Sequence, residues 1–193
     1  MNINYNIILD IFLESLIPST KIAIKEGNKI FGAVILKKSD LSILVTGTNN
    51  ELKNPLFHGE ISAINNFYEK NIDIKTSECI FLSSHEPCSL CLSAITWAGF
   101  DNFYYFFPYE DTKDKFNIPH DLKILSQIFN VENGLYNNSN KYWKSYAILD
   151  EIKKLSSLEQ QKMQFKIEEI YREYNNLSSQ YQISKTNNNI PLN

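Results

Sequence analysis

The stretch CIFLSSHEPCSLCLSAITWAGFDNFYYFF, residues 79–107, holds a strand, a helix and a second strand in close succession. Cys79 to Ser83 is a short apolar run typical of a buried strand. A helix is predicted from Cys88 to Ala98, because apolar residues recur there at helical spacing and Gly99 suits a C-terminal cap. Phe103 to Phe107 predicts the second strand. A helix that connects two strands in this way is typical of parallel neighbours in a sheet.

The residues before this stretch predict two helices separated by a β-hairpin. Apolar residues recur at helical spacing from Ile7 to Ile17, and we expect Pro18 to interrupt that helix. Phe31–Leu36 and Leu41–Val45 are the two strands of the hairpin. His58–Lys70 has an apolar helical face. Strands alternating with helices indicate an α/β protein, and we expect a three-layer α/β/α sandwich with a mixed sheet.

The last third of the chain is expected to add C-terminal helices to this sandwich. Three helices are predicted, over His120–Phe129, Tyr142–Leu155 and Leu158–Tyr174. Ser156 and Glu159 have the spacing of a capping box at the start of the last one. The polar tail, residues 175–193, is expected to fray. We therefore predict a main domain over residues 1–150 and a helical extension with a frayed tail over residues 151–193.

The composition argues against a protein whose main partner is a nucleic acid. The chain has 193 residues, with 19 Lys and Arg against 22 Asp and Glu, and a formal net charge of -3. Proteins that bind phosphate backbones are normally basic, because neutralising phosphates supplies most of their affinity. Arg172 is the single arginine. The planar guanidinium of arginine binds phosphates and base edges with paired hydrogen bonds, which the ammonium of lysine cannot form in the same way. Nucleic acid is therefore not an expected partner.

The sequence predicts neither a membrane span nor a signal peptide. It has no run of about 18 apolar residues, and its most apolar early stretch, from Ile7 to Ile17, lacks a basic leader and a small-residue cleavage site.

Two of the three cysteines, Cys88 and Cys91, are three residues apart. In a cytoplasmic protein, which we expect here, that spacing indicates metal or redox chemistry before a disulfide.

One histidine and two cysteines have the chemistry of a catalytic zinc site. His58, Cys88 and Cys91 supply three tetrahedral ligands and leave the fourth position for water. His58 and Cys88 each open a predicted helix, where the partial positive charge of the helix start stabilises a thiolate. Glu60 lies in the first turn after His58. Because zinc would already have three ligands, we interpret Glu60 as a proton shuttle.

A structural zinc site and a few further side chains near the motifs are alternatives to this interpretation. A structural zinc site would need a fourth ligand, for which Cys79 and His85 are the nearby candidates. Cys79 begins a buried strand and fits the core better, and His85 suits a supporting position. Phe116 or the aromatic strand could stack on a ligand, and Asp111 and Asp114 could reach a substrate amino group. For each of these, a core or solvated-loop role is the commoner alternative.

His58-Gly59-Glu60 followed by Pro87-Cys88-Ser89-Leu90-Cys91 resembles the signature of the zinc-dependent cytidine deaminase-like superfamily. The resemblance runs from about Phe31 to Phe107. Within the superfamily, the chain resembles the branch that contains the nucleobase, nucleoside and transfer-RNA adenosine deaminases. It implies that zinc lowers the pKa of a water and that Glu60 moves protons from this water to the ring and the leaving ammonia. It also implies a homodimer.

The resemblance further implies residues that hold the base. An asparagine before the first motif often does so in the family, which makes Asn49 the candidate and Asn50 the substitute. The loop from Asn49 to His58 is a residue or two shorter than the family pattern. The backbone at Gly59 is a second candidate, because a residue without a side chain allows close approach of a substrate.

These observations favour a zinc-dependent hydrolytic deaminase of a free nucleobase or small nucleoside. His-Gly-Glu is similar to the first motif of fungal-type cytosine deaminases, whereas Glu-Pro-Cys resembles guanine deaminases and transfer-RNA adenosine deaminases. We favour guanine slightly over cytosine. The alternatives are a transfer-RNA-specific adenosine deaminase and a non-catalytic zinc-containing interaction module. The presence of Glu60 argues against the module, because a structural zinc has no use for this carboxylate.

Overall fold

The computed structural model describes residues 3–193, which form a five-stranded mixed sheet with helices on both faces. The strands are β1 (Gly32–Lys37), β2 (Ile43–Thr48), β3 (Cys79–His85), β4 (Asn102–Phe107) and β5 (Lys144–Ala147). The helices are α1 (Tyr5–Ile11), α2 (Ile17–Lys25), α3 (Gly59–Glu69), α4 (Ser89–Trp97), α5 (Tyr109–Asp114), α6 (His120–Phe129), α7 (Ile148–Lys153) and α8 (Ser157–Ser184). The predicted three-layer α/β/α sandwich is confirmed.

The sheet is mixed because its hairpin and its helical crossovers join strands differently. The strand order is β2-β1-β3-β4-β5. β1 pairs antiparallel with both β2 and β3, whereas β3, β4 and β5 are parallel. A tight turn reverses the chain between β1 and β2, while α4 returns it to the same end of the sheet before β4. The carboxyl end of β3 therefore leads directly into the second sequence motif.

Side chains alternate between two hydrophobic layers along each central strand. In β1, Val34 and Leu36 pack beneath the layer of α1, α2 and α8, while Ala33 and Ile35 pack against α3 and α4. This period of two follows from the pleat of a strand. Burying a large apolar side chain such as Phe81, which is inaccessible to solvent, contributes about 1.5–3 kcal/mol. Both faces of the sheet are thus needed for stability.

The N-terminal helix continues through Pro18 instead of being interrupted there. Between α1 and α2 the chain makes a π-helical turn over Phe12–Leu16, and Pro18 lies in the first turn of α2. A proline fits the first turn of a helix, since the N–H that it lacks needs no partner there. The Thr20 hydroxyl donates to the Leu16 carbonyl within this continuous helical stretch.

Three glycines allow α3 to lie directly against the hairpin. A Cβ atom on Gly59 would come within 2.6 Å of the Gly32 Cα, and one on Gly47 would come within 2.2 Å of the Ala63 nitrogen. Contacts this short with backbone atoms cannot be relieved by a side-chain rotation. The absence of side chains here brings the start of α3, and with it His58, close to the sheet.

Gly59→Ala is expected to destabilise the protein, because the added methyl group meets the backbone of Gly32. Overpacking of this kind costs about 1–3 kcal/mol. Chemical denaturation should show the loss, with Asn65→Ala on the exposed side of α3 as the matched control. A Gly59→Ala protein as stable as the control would contradict this packing.

The segment from Tyr142 to Leu155 contains a strand that the sequence pattern did not predict. Only Ile148–Lys153 is helical, as α7, and Lys144–Ala147 forms β5 at the edge of the sheet. Tyr146 stacks on Tyr104 of β4 with ring centroids 4.6 Å apart. A strand of four residues is too short to show its own periodicity, so pairing with β4 decides its conformation.

The C-terminal region packs on the body of the protein further than expected. The capping box of Ser156 and Glu159 is confirmed, but α8 runs to Ser184 instead of fraying after Tyr174. Beyond it, Ile190 is buried, and the side-chain amide of Asn188 donates to the Gly27 carbonyl. The boundary at residue 150 between a main domain and an extension stays a prediction.

Within residues 3–193, none of the helices has the length and apolar character that crossing a membrane requires.

Candidate active site

The structure brings His58, Cys88 and Cys91 together at two helix starts. His58 is the N-cap of α3 and Cys88 is the N-cap of α4, and Cys91 follows one turn later. The His58 Nδ1 atom lies 3.4 Å from the Cys88 Sγ and 3.7 Å from the Cys91 Sγ, and the two sulfurs are 3.6 Å apart. Residues 30 positions apart in the chain thus form one compact group.

This group has the dimensions and donor chemistry of a zinc site. Zinc bonds of about 2.3 Å to sulfur and about 2.0–2.1 Å to nitrogen place tetrahedral ligand atoms roughly 3.5–3.8 Å from one another. The three separations match these values, and the three ligand atoms lie within 4.8 Å of one another. One imidazole and two thiolates are a preferred zinc donor set. The residues therefore fit zinc.

Protonation within the metal-free group reflects burial and mutual contact. Burial lowers the pKa of the His58 imidazole, but the adjacent Cys88 outweighs burial and raises this pKa to about 9. The hydrogen bond between the Cys88 and Cys91 sulfurs holds the pKa of Cys88 well below its usual value, whereas burial raises the pKa of Cys91. The group thus already favours one thiolate beside a positive imidazole.

Glu60 is buried next to the ligand group and is held from both sides. Its Oε1 accepts a 2.8 Å hydrogen bond from the Ser83 hydroxyl, and its Oε2 lies 3.2 Å from the Cys91 Sγ. Burial, followed by the charge of Cys88, raises the pKa of Glu60. A carboxyl with a raised pKa beside a metal group is suited to accepting and returning a proton.

Asn49 and Gly59 interact with each other at the edge of this group. The Asn49 Oδ1 accepts a 2.6 Å hydrogen bond from the Gly59 N–H, and its Nδ2 donates to Glu51 at 2.7 Å. The bare face of Gly59 lies against Gly32. Both residues therefore fix the loop to the start of α3, and their predicted contact with a substrate stays a prediction. Asn50 is exposed.

A cavity of about 530 Å³ opens beside the ligand group. His58 and Cys88 line it, whereas Glu60, Cys91 and Asn49 do not. The rest of its wall is mainly apolar and includes residues that the sequence motifs did not indicate: Lys29, Phe31, Glu51, Leu56, Ile118, Asp121, Ile128, Phe129, Pro191 and Leu192. His120 opens α6 as predicted and also lines this cavity. No short-range sequence signal marks these residues, because they come from four separate segments.

Two titratable side chains of the cavity wall, His120 and Asp121, have shifted pKa values. Burial raises the pKa of Asp121 well above its usual value, with a further contribution from Cys88. Burial also lowers the pKa of His120, as does the nearby positive charge of Lys29. Uncharged forms are thus favoured at both positions, which suits an apolar pocket.

The remaining candidates lie away from the ligand group. Cys79 is buried in the core as expected, and its thiol faces the Lys75 carbonyl. Asp111 contacts Lys115 and Tyr171, and Asp114 is exposed beside Lys113. Phe116 is buried against the rings of Phe107 and Tyr174. Of the residues that the structure describes, none of these lines the cavity.

His85 is buried among aromatic rings instead of joining the ligand group. Its ring centroid lies 4.8 Å from that of Phe31 and 4.9 Å from that of Phe107. Its Nδ1 is 2.9 Å from the Ser84 hydroxyl. Burial lowers the pKa of His85 to about 3. The imidazole is therefore neutral in the folded protein at any pH near neutrality.

The buried neutral His85 is expected to make the fold sensitive to acid. Its pKa is lower in the folded than in the unfolded chain, so its stabilising contribution is complete above about pH 6.5 and is lost as the pH falls toward 3. The slope is about 1.4 kcal/mol per pH unit for one proton. Denaturant unfolding at several pH values, with a chelator present, should show this slope in the difference between the unfolding free energies of the wild type and His85→Phe. Parallel curves would contradict it.

Comparison with known proteins places a zinc-binding family region over the part of the chain that contains this group. A family model described as the cytidine and deoxycytidylate deaminase zinc-binding region matches residues 10–107, about half of the chain. The guanine deaminase of Bacillus subtilis is 40% identical over 70 residues, which are 35% of this chain and 44% of that protein. A probable cytosine deaminase of Schizosaccharomyces pombe is 28% identical over 88 residues, covering 46% and 53%.

A third relative and a solved structure extend the comparison. The tRNA-specific adenosine deaminase of Rickettsia felis is 28% identical over 95 residues, covering 48% of this chain and 66% of that protein. The chain thus aligns with less than two thirds of each of these three relatives. The guanine deaminase structure from Nitrosomonas europaea has a TM-score of 0.53 at 15% identity, over 83% of this chain and 80% of that one, and shares the fold. The match to the family model over His58, Cys88 and Cys91 shows that the chain belongs to the cytidine and deoxycytidylate deaminase zinc-binding family.

Proposed function

We propose that the protein is a zinc-dependent hydrolytic deaminase of a free nucleobase or small nucleoside, of guanine or cytosine type. The observation that carries this proposal is the buried Glu60 carboxyl 3.2 Å from a three-residue group that fits zinc. A structural zinc is usually closed by four protein ligands, and it needs no acid–base group beside it. A hydrolytic site needs both an open position and a proton shuttle.

Each residue of the group has a defined task in this reaction. His58, Cys88 and Cys91 hold the zinc, which when bound supplies a water of lowered pKa. Glu60 takes a proton from the attacking water and delivers it to a ring nitrogen, so that the amino-bearing carbon accepts the oxygen. Glu60 then takes the remaining proton of the new hydroxyl group and transfers it to the amino group, so that the carbon–nitrogen bond breaks and ammonia leaves. The base and water thus give ammonia and a product with a carbonyl oxygen in place of the amino group. Ser83 holds the Glu60 carboxyl in place.

The cavity supports a small substrate. A volume of about 530 Å³ lies in the range of pockets for small molecules. Its apolar wall suits a flat ring, and Phe31 supplies an aromatic surface beside His58. Guanine and cytosine deaminases among the relatives support the two base classes. We place guanine first, because the guanine deaminase is the more similar of the two.

The alternative is a transfer-RNA adenosine deaminase, which one relative supports. The net charge of -3 and the single arginine weigh against it, since affinity for RNA comes largely from neutralising phosphates. We also propose the cytoplasm as the location, because thiolate ligands require a compartment that keeps cysteines reduced. A homodimer, implied by the family resemblance, stays a prediction that sedimentation velocity tests.

An ammonia-release screen of the zinc-loaded protein tests the function. Its arms are guanine, cytosine, adenine, their nucleosides and transfer RNA, each with a zinc-free control. We expect release from a free base or nucleoside. Preferential release from transfer RNA would favour the alternative, and a zinc-loaded protein that deaminates none of them would favour a non-catalytic interaction module.

A further inference from the structure

A buried ion pair lies in the wall of the cavity. The Lys29 ammonium is 2.9 Å from the Glu51 Oε1, and the two side chains are only 7% and 2% exposed. Lys29 lies between α2 and β1, and Glu51 follows β2. Removing two charges from water costs several kcal/mol per ion unless their contacts compensate, and an apolar pair of the same size is often as stable. The pair therefore suggests a role beyond stability.

Glu51 connects this ammonium to the candidate zinc ligand. Its Oε1 lies 2.9 Å from the Lys29 Nζ and 3.8 Å from the His58 Nε2. Its Oε2 accepts the 2.7 Å hydrogen bond from Asn49. The ammonium and the imidazole thus flank one buried carboxylate oxygen, and all three side chains line the same cavity.

The Lys29 ammonium also has hydrogen-bond donors beyond the one that bonds to Glu51. An ammonium has three N–H donors, and among residues 3–193 Glu51 is its hydrogen-bond partner. Lys29 lines the cavity, whose wall is otherwise mainly apolar. A ligand that offers an acceptor atom to Lys29 would gain a hydrogen bond to a charged, desolvated group, and such bonds are stronger than neutral ones.

We propose that Lys29 is a specificity-determining residue that donates a hydrogen bond to a carbonyl oxygen of the base. This inference rests on the proposed deaminase function and narrows its substrate class to oxo-bases. Guanine and cytosine each carry a carbonyl group two ring positions from the amino-bearing carbon, whereas adenine has none. Lysine pairs readily with the acceptor edge of guanine. Lys29 thus selects against adenine.

Substrate pairs in which one member lacks this carbonyl oxygen test the proposal. Guanine and 2-aminopurine share the 2-amino group, and 2-aminopurine lacks the 6-oxygen; cytosine and 4-aminopyrimidine form the corresponding pyrimidine pair. In zinc-loaded wild type, kcat/KM should favour the oxo-base of the pair that is turned over. In Lys29→Met this preference should fall by roughly 10- to 100-fold, the range for a hydrogen bond to a charged group. Isothermal titration with 8-azaguanine should show a parallel loss of affinity if guanine is that substrate.

Two further variants keep the result interpretable. Lys53→Met removes an exposed lysine from the loop after β2 and should keep the wild-type preference. Lys29→Met/Glu51→Gln removes both buried charges, so it tests the loss of preference even if Lys29→Met alone folds poorly. If the wild type deaminates a base and the folded Lys29 variants keep its preference for the carbonyl-containing base, the proposed role of Lys29 is wrong. The proposed deaminase function would not be affected by that result. A wild type that prefers adenine or adenosine would overturn the oxo-base assignment, and one without any deaminase activity would overturn the proposed function itself.

Discussion

Cys91→Ser is expected to abolish most zinc binding and to lower thermal stability. A serine hydroxyl stays protonated near neutral pH and is a poor replacement for a thiolate ligand. The wild type should hold about one zinc per chain, and Cys88→Ser should behave like Cys91→Ser. Because the zinc would tie the start of α3 to the start of α4, its loss also removes a link between distant segments.

Elemental analysis after dialysis, combined with thermal unfolding with and without a chelator, measures both effects. Cys79→Ser is the matched control, since it also replaces a buried cysteine but lies outside the ligand group. The control should keep its zinc. Full zinc occupancy in Cys88→Ser or Cys91→Ser would show that the ligand assignment is wrong.

Glu60→Gln is expected to retain zinc and fold while losing nearly all deaminase activity. Glutamine has almost the same size and can still accept a hydrogen bond from Ser83, but it cannot take a proton from water. General acid–base catalysis contributes about 10²- to 10⁴-fold in rate. Glu60 acts at several proton transfers in the proposed reaction, so the loss in kcat should reach or exceed the upper end of this range.

Steady-state kinetics and zinc content, measured on one preparation, separate this role from a structural one. Glu69→Gln, at the exposed end of the same helix, makes the same chemical change away from the site and should remain active. A Glu60→Gln protein that keeps more than about a tenth of the wild-type kcat would exclude the proton-shuttle role.

The sequence predicted the central part of the fold because local pattern and tertiary packing agree there. Strands β1, β3 and β4 each contain a short apolar run, and both motifs lie at helix starts, as His58 and Cys88 show. A motif that contains its own helix start specifies geometry as well as chemistry. The ligand group could therefore be predicted before any distance was known.

The remaining errors come from features that packing decides. β5 depends on its pairing with β4, and the path of α1 through Pro18 depends on a π-helical turn. Trp97, at the end of α4, is 91% exposed, and helical spacing alone does not show which face of α4 meets the sheet. In each case the deciding contact lies outside the local sequence window.

The cavity wall was missed for a related reason. Lys29 and Glu51 belong to separate loops, and neither carries a motif, so only the folded chain shows that they pair beside His58. Asn49 illustrates the opposite case, since its position before the first motif was recognised while its partners, Glu51 and Gly59, were not.

Zinc titration into the metal-free protein, with ammonia release followed at each step, tests the central claim most directly. Activity with the substrate found in the screen should rise in proportion to added zinc and stop rising at about one equivalent per chain. Glu60→Gln should bind the same single equivalent and release almost no ammonia. Activity that does not depend on zinc, or equal ammonia release from Glu60→Gln, would contradict a zinc-dependent deaminase built from His58, Glu60, Cys88 and Cys91.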